Sequence, residues 1–177
     1  LTAGPESAWL RDHVVSGFVV LPFTAYLEIM LAAGAHALGA DGGNDLPQVN
    51  AIEVSAPLII TGEAEPAYAV ARRSGGTAAV RVVRRQQVAS TDVQSSSQRQ
   101  WQWHTHGRAR VSRAEAVRGG NWPHFYAREA IRERDMKPVE VGDMYRGLAE
   151  RTGLAYGPAF ARLSELWGGE RVAIGRV

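Results

Sequence analysis

Directly after Pro22 the chain carries Phe23, Tyr26, Leu27, Met30, Leu31, Gly34 and Leu38 at helical intervals, and Gly39, Asp41, Gly42 and Gly43 then break the pattern. This predicts one helix of about four turns, apolar enough to be wrapped by a sheet. Pro22 suits its first turn, where a missing N–H costs nothing. Downstream the period changes from that of a helix to that of strands. Residues 49–60, 67–73, 77–88 and 100–111 read as strands, separated by Gly62–Pro66, Ser74–Gly76 and a polar Ser/Gln-rich run over 90–98. A long apolar helix followed by four such segments constrains the fold to a helix covered by an antiparallel sheet.

Upstream of the helix, Asp12-His13-Val14-Val15-Ser16-Gly17-Phe18-Val19-Val20-Leu21-Pro22 holds His13, Gly17 and Pro22 in the frame HxxxGxxxxP. Read as one strand, it puts His13, Val15, Gly17, Val19 and Leu21 on one face and Val14, Ser16, Phe18 and Val20 on the other. Both faces are mostly apolar. A buried strand thus delivers the histidine, and desolvation favours the neutral imidazole that can accept a proton. The following helix directs its positive N-terminal end at the same spot, a pairing suited to proton abstraction beside a carbonyl. Gly17 lacks a side chain, so a substrate arm can approach its backbone.

The 177 residues are long enough for a full core, and 45% hydrophobic with 21% charged residues is ordinary for a globular protein. The net charge is +2 and the pI about 9.3, with arginines spread along the chain and Lys137 the sole lysine. No basic block appears, so nucleic acid is not implied. The chain has no cysteine, hence no disulfide or thiolate chemistry. No stretch reaches the roughly 20 apolar residues that span a bilayer, and the first residues do not read as a signal peptide. A cytoplasmic protein is the expectation. The start without methionine and the strand-like end read as part of something longer.

Trp101 and Trp103 alternate with Gln102 and His104 in a pattern of sheet packing. His104 and His106 share a strand face, yet no third ligand stands at a metal-binding spacing, so no metal is expected. No glycine-rich phosphate loop is present either, so no nucleotide or flavin is implied. Residues 113–138 read as a linker with a short helical piece, and Val141–Arg151 as an amphipathic helix with Met144, Tyr145 and Leu148 on its apolar side. Asp143 reads as a solvated charge on that helix.

A strand, a central helix and an antiparallel wrapping sheet describe an α+β hotdog fold. His13, Gly17 and Pro22, with Trp9-Leu10-Arg11-Asp12 before and Tyr26-Leu27-Glu28 after, resemble the N-terminal signature of dehydratase domains of modular polyketide synthases. Trp101, His104 and Gly107 resemble that family's WxxHxxG strand, and Gly153-Leu154-Ala155-Tyr156-Gly157-Pro158-Ala159-Phe160 its GxxYGPxF element. Phe23 departs from the pattern, which has glycine after the proline.

The resemblance implies a double hotdog with the second half cut short: a first hotdog over 1–112, the linker over 113–138, and the start of the second hotdog over 139–177. It implies that His13 is the general base removing the α-proton of a 3-hydroxyacyl thioester, and that Gly17, Pro22, Tyr156 and Gly157 line the substrate site. The thioester hangs on the phosphopantetheine of an acyl carrier protein, with no cofactor bound directly. Partners implied are that carrier protein, neighbouring synthase domains and a second copy of the parent synthase. The family's catalytic aspartate is expected beyond Val177. Glu28 is the internal alternative acid, because its spacing from Pro22 resembles the glutamate of single-hotdog dehydratases, where it serves the partner's histidine. Two other readings stay open: a related hotdog domain catalysing double-bond shift or cyclisation, and a non-catalytic dehydratase-like domain.

Overall fold

The computed structural model describes residues 5–40, 46–61, 66–88, 100–114 and 135–177. It divides into two compact units, one of Leu1–Ser7 with Leu21–Val117 and the other of Ala8–Val20 with Arg118–Val177. The expected linker over 113–138 and its helical piece, the polar run over 90–98 and the break at 41–43 fall mostly or wholly outside the described residues.

In the first unit, helix α1 (Phe23–Leu38) lies on an antiparallel sheet of β3 (Pro47–Val54), β4 (Ala67–Ser74), β5 (Thr77–Val88) and β6 (Gln100–Arg113). The strand order is β3-β6-β5-β4, so the last strand in sequence enters the middle of the sheet. This is the hotdog arrangement. Tyr26, Met30, Gly34 and Leu38, spaced by four, are the buried stripe of α1, which packs on β5 and β6, where Val80, Val82 and Val111 are buried and Val111 lies against Gly34. Each such fully buried large side chain contributes about 1.5–3 kcal/mol. Burial pushes the Tyr26 hydroxyl up to about 12, against a smaller opposing effect of the Leu58 main chain.

Leu27 and Leu31 are only half-buried and Phe23 is 54% exposed, so the stripe from Tyr26 to Leu38 is the side of α1 that the core buries. Two expectations are corrected here. Pro22 is the N-cap, with extended φ −64° and ψ 149°, and its carbonyl accepts the amides of Ala25 and Tyr26 at 3.0 and 3.2 Å. The strand expected to run to residue 60 ends at Val54, because the amides of Ser55 and Ala56 both turn to the His106 carbonyl. The helix closes as anticipated at Gly39, which takes the left-handed conformation at φ 68°.

The second unit opens with a 3₁₀ helix over Pro5–Asp12, of which residues from Ala8 onward belong to this unit. It continues with β1 (His13–Val15) and β2 (Phe18–Val19), and later holds β7 (Lys137–Pro138), helix α2 (Val141–Thr152), β8 (Leu154–Tyr156), β9 (Glu165–Gly168) and β10 (Ala173–Arg176). Two three-stranded sheets form, β2-β1-β8 and β10-β9-β7. The single strand expected over 13–21 is instead a hairpin. Ser16 and Gly17 have φ of 49° and 84°, the two-residue turn that matches strand twist, and Val15 pairs with Phe18. The even–odd alternation through the turn is therefore lost, and Phe18 is exposed where a buried strand was expected. His13 was expected with residues 1–112. Its strand bonds to β8, a strand of the expected second hotdog. Asp143 is exposed and pairs with Arg146 at 2.8 Å. Among the described residues no helix is long and apolar enough to cross a membrane.

Candidate active site

His13 opens β1, the middle strand of its sheet, and both edges of β1 are occupied. On one side His13 stands in register with Tyr156 of β8. On the other its carbonyl accepts the Val20 amide at 3.1 Å, closing the hairpin. The side chain is half-buried, and its Nδ1 donates to the Val20 carbonyl at 2.9 Å. A carbonyl only accepts, so Nδ1 carries the proton and Nε2 of the neutral ring presents a lone pair. Among the described residues Nε2 has no hydrogen-bond partner, and it is not sealed from solvent.

Aromatic rings hold the imidazole. Its centroid is 5.7 Å from Tyr156 and 5.3 Å from Phe160, and Tyr156 and Phe160 stack on each other at 5.7 Å. Trp9 leans on Phe160 at 5.7 Å, and Tyr145 of α2 meets Tyr156 edge-on at 6.3 Å. The Tyr145 hydroxyl accepts the Leu163 amide at 3.2 Å, which ties α2 to the segment after Phe160. The result is an imidazole seated in an aromatic surround, with the Tyr156 hydroxyl making no hydrogen bond among the described residues.

Asp12 builds the turn that carries these rings. Its carbonyl accepts the Gly157 amide and its Oδ2 accepts the Ala159 amide, each at 2.7 Å. A Cβ on Gly157 would stand 2.5 Å from the Asp12 Cγ, so glycine there lets the carboxylate close on the turn. The pairing of β1 with β8 thus brings the Tyr156-Gly157 pair to His13. Sequence reasoning quoted Trp9, Asp12 and Phe160 as motif members but gave them no role. The neighbourhood of Asp12 and the YGP element becomes visible only when β1 and β8 pair.

Of the other expected residues, Gly17 lies in the same unit as this cluster and Pro22 and Glu28 lie in the first unit. Gly17 sits at the exposed hairpin turn with nothing near its missing side chain, in a left-handed conformation that calls for glycine. Pro22 belongs to the first unit as the cap of α1. Glu28 is exposed on the uncovered side of α1, in a shallow apolar groove with Leu27, Leu31, Ala35 and Pro47. His106 is buried in the first unit with Nδ1 on the Pro57 carbonyl at 3.1 Å, and its ring is 5.1 Å from that of His104. Burial holds its imidazole below the ordinary value; His104 and Arg84 lower it further, while the Pro57 and Ala56 main chain raises it.

Residues 2–85 match the family described as the polyketide synthase dehydratase domain. The chain is 31% identical over 166 residues to the spectinabilin polyketide synthase system protein NorA' of Streptomyces orinoci, which covers 90% of this chain and 4% of that protein. It is 32% identical over 168 residues to erythronolide synthase EryA2 of Saccharopolyspora erythraea, covering 92% of this chain and 4% of the synthase. Among solved structures, the dehydratase domain of PpsC from Mycobacterium tuberculosis superposes with a TM-score of 0.71 at 24% identity, covering all of this chain and 55% of that one. The dehydratase domain from the CurF module of curacin polyketide synthase gives 0.71 at 20% identity, over 99% of this chain and 56% of that one. The chain therefore spans a small part of the synthases and just over half of the solved domains. It belongs to the dehydratase domains of polyketide synthases.

Proposed function

We propose that this chain supplies the base of a dehydratase that eliminates water from a 3-hydroxyacyl thioester carried on the phosphopantetheine arm of an acyl carrier protein. The observation that carries the reading is the hydrogen bond of His13, whose Nδ1 lies 2.9 Å from the Val20 carbonyl while Nε2 has no partner among the described residues. In this reaction Nε2 takes the α-proton, the electron pair of that C–H bond forms the double bond, and the β-hydroxyl leaves. A carboxylic acid protonates the departing oxygen, so that water is released. We assign that acid to an aspartate in the part of the dehydratase domain that this chain does not span. The carrier protein and the neighbouring synthase domains are the proposed partners, two copies of the parent synthase are proposed to pair, and the cytoplasm is the proposed location.

The test is elimination from a 3-hydroxyacyl pantetheine thioester by the dehydratase that contains this chain. His13→Ala is expected to lower turnover by roughly 10²–10⁴-fold, the usual contribution of a general base. Undiminished turnover would remove His13 from the reaction. Tyr156→Phe is expected to cost less, about 0.5–1.5 kcal/mol, since it deletes at most one neutral hydrogen bond to substrate. Glu28→Gln is expected to leave turnover unchanged, and a loss as deep as that of His13→Ala would transfer the acid role to Glu28.

A further inference from the structure

The arginines scattered along the sequence are gathered by the fold onto the outer face of the four-stranded sheet. Pairing places Glu53, Arg108, Arg81 and Val70 in one row across β3, β6, β5 and β4. The adjacent row on the same face runs Ala51, Arg110, Ala79 and Arg72. All of these residues are exposed and together they line an open groove of about 680 Å³. Arg81 and Arg108 stand directly opposite one another, an arrangement that like charges disfavour. Among the described residues only Arg108 of these arginines is neutralised: its Nε and Nη2 donate to one Glu53 oxygen at 2.9 and 2.6 Å. Arg72, Arg81 and Arg110 have no carboxylate partner among the described residues.

We propose that this face is a docking surface for a glutamate- or aspartate-rich segment of a partner protein. The charge of the face is complementary to such a segment, and the Glu53–Arg108 contact shows one of its guanidiniums holding a carboxylate oxygen through two N–H groups. The uncharged positions between them, Ala51, Ala79 and Val70, give an apolar floor for the side chains that accompany carboxylates on a protein segment. Single-stranded nucleic acid fits less well, because it needs open aromatic faces for its bases. No aromatic ring lines this groove: Trp103, 61% exposed, and Tyr68 meet edge-on at 5.5 Å outside its lining, and Arg85 covers the Trp101 ring at 4.7 Å. The proposal is independent of the dehydratase reading, since it involves neither His13 nor its surround.

The experiment measures binding of a fluorescein-labelled glutamate-rich peptide to the full chain by anisotropy at low salt. A single-stranded oligonucleotide and inorganic polyphosphate of the same charge serve as comparison probes. The double variant Arg81→Glu/Arg110→Glu is expected to weaken peptide binding by at least roughly tenfold, the scale of lost charge-assisted hydrogen bonds. The control pair Arg151→Glu/Arg171→Glu, exposed in the other unit, is expected to leave affinity unchanged. Arg72→Glu, on the edge strand β4, is the second variant should the double change disturb the sheet, and it is expected to weaken binding in the same direction. Absence of peptide binding, equal losses in the control pair, or tighter binding of the oligonucleotide or polyphosphate than of the peptide would each overturn the proposal.

Discussion

The contact between Asp12 and Gly157 predicts a specific failure of additivity. In Asp12→Ala the Ala159 amide loses a charged acceptor 2.7 Å away, while the Gly157 bond to the residue 12 carbonyl stays. A hydrogen bond to a charged group is worth about 1.5–3 kcal/mol, and because this one is exposed water replaces part of it, leaving an expected loss of about 1 kcal/mol. Gly157→Ala acts through space alone, since the φ of Gly157 is not in the left-handed region. Its Cβ would meet the Asp12 Cγ at 2.5 Å, Oδ1 at 2.6 Å and Cβ at 2.8 Å. Overpacking of that kind costs about 1–3 kcal/mol.

In the double variant, two of these three obstructing atoms are gone. Gly157→Ala is therefore expected to cost less in the Asp12→Ala background than alone, with a coupling of about 0.5–1.5 kcal/mol in the relieving direction. Asp12→Asn keeps the bulk, so it should give no relief. Urea unfolding supplies the free energies, and hydrogen exchange of the Ala159 amide reports the turn directly: it should quicken in Asp12→Ala. Additivity within about 0.3 kcal/mol, or unchanged exchange at Ala159, would refute the claim that the carboxylate closes on this turn.

Gly34→Ala should destabilise the first unit by about 1–3 kcal/mol, because a Cβ there would fall 2.6–2.7 Å from three side-chain atoms of Val111; Val111→Ala in the same chain should recover part of the loss in thermal or urea melts. His106 titrates below its ordinary 6.5 in the folded state, so the unfolded chain takes up the proton first as pH falls. The stability tied to its neutral ring is thus complete above about pH 6.5 and declines on acidification towards the folded value. Urea midpoints taken between roughly pH 7.5 and 5 should fall more steeply for the parent than for His106→Gln, and parallel slopes would contradict the burial argument.

Local periodicity made α1 and the four long strands legible, since each buries one stripe or one face. The hairpin at Ser16-Gly17 was not, because Val14-Val15-Ser16-Gly17-Phe18-Val19 reads equally well as unbroken alternation. Serine at φ 49° is an uncommon first turn residue, and the asparagine or aspartate that would have signalled the turn is absent. The bulge between Val82 and Val83 had the same effect on β6, where His106 and Gly107 are both buried although they are neighbours in sequence. The candidate base was legible through its motif spacing. Its surround was not, because Tyr156 and Phe160 reach it only through a pairing between strands at opposite ends of the chain. The convergence of arginines was hidden for the same reason: β6 enters between β3 and β5, and only that order sets Arg108 beside Arg81.

The way His13 is held bears on the proposed chemistry. A histidine base whose Nδ1 faces a carboxylate gains charge stabilisation when it becomes imidazolium; here Nδ1 faces the main-chain carbonyl of Val20, a neutral acceptor. That bond fixes tautomer and orientation, and it cannot be removed by changing the Val20 side chain. It supplies less stabilisation of the positive ring than a carboxylate would. It also leaves protonation of the departing hydroxyl to a separate acid in a different environment. Val20→Ala should therefore preserve activity, while a change that breaks the hairpin, such as Gly17→Val at φ 84°, should lower it by freeing the imidazole to turn.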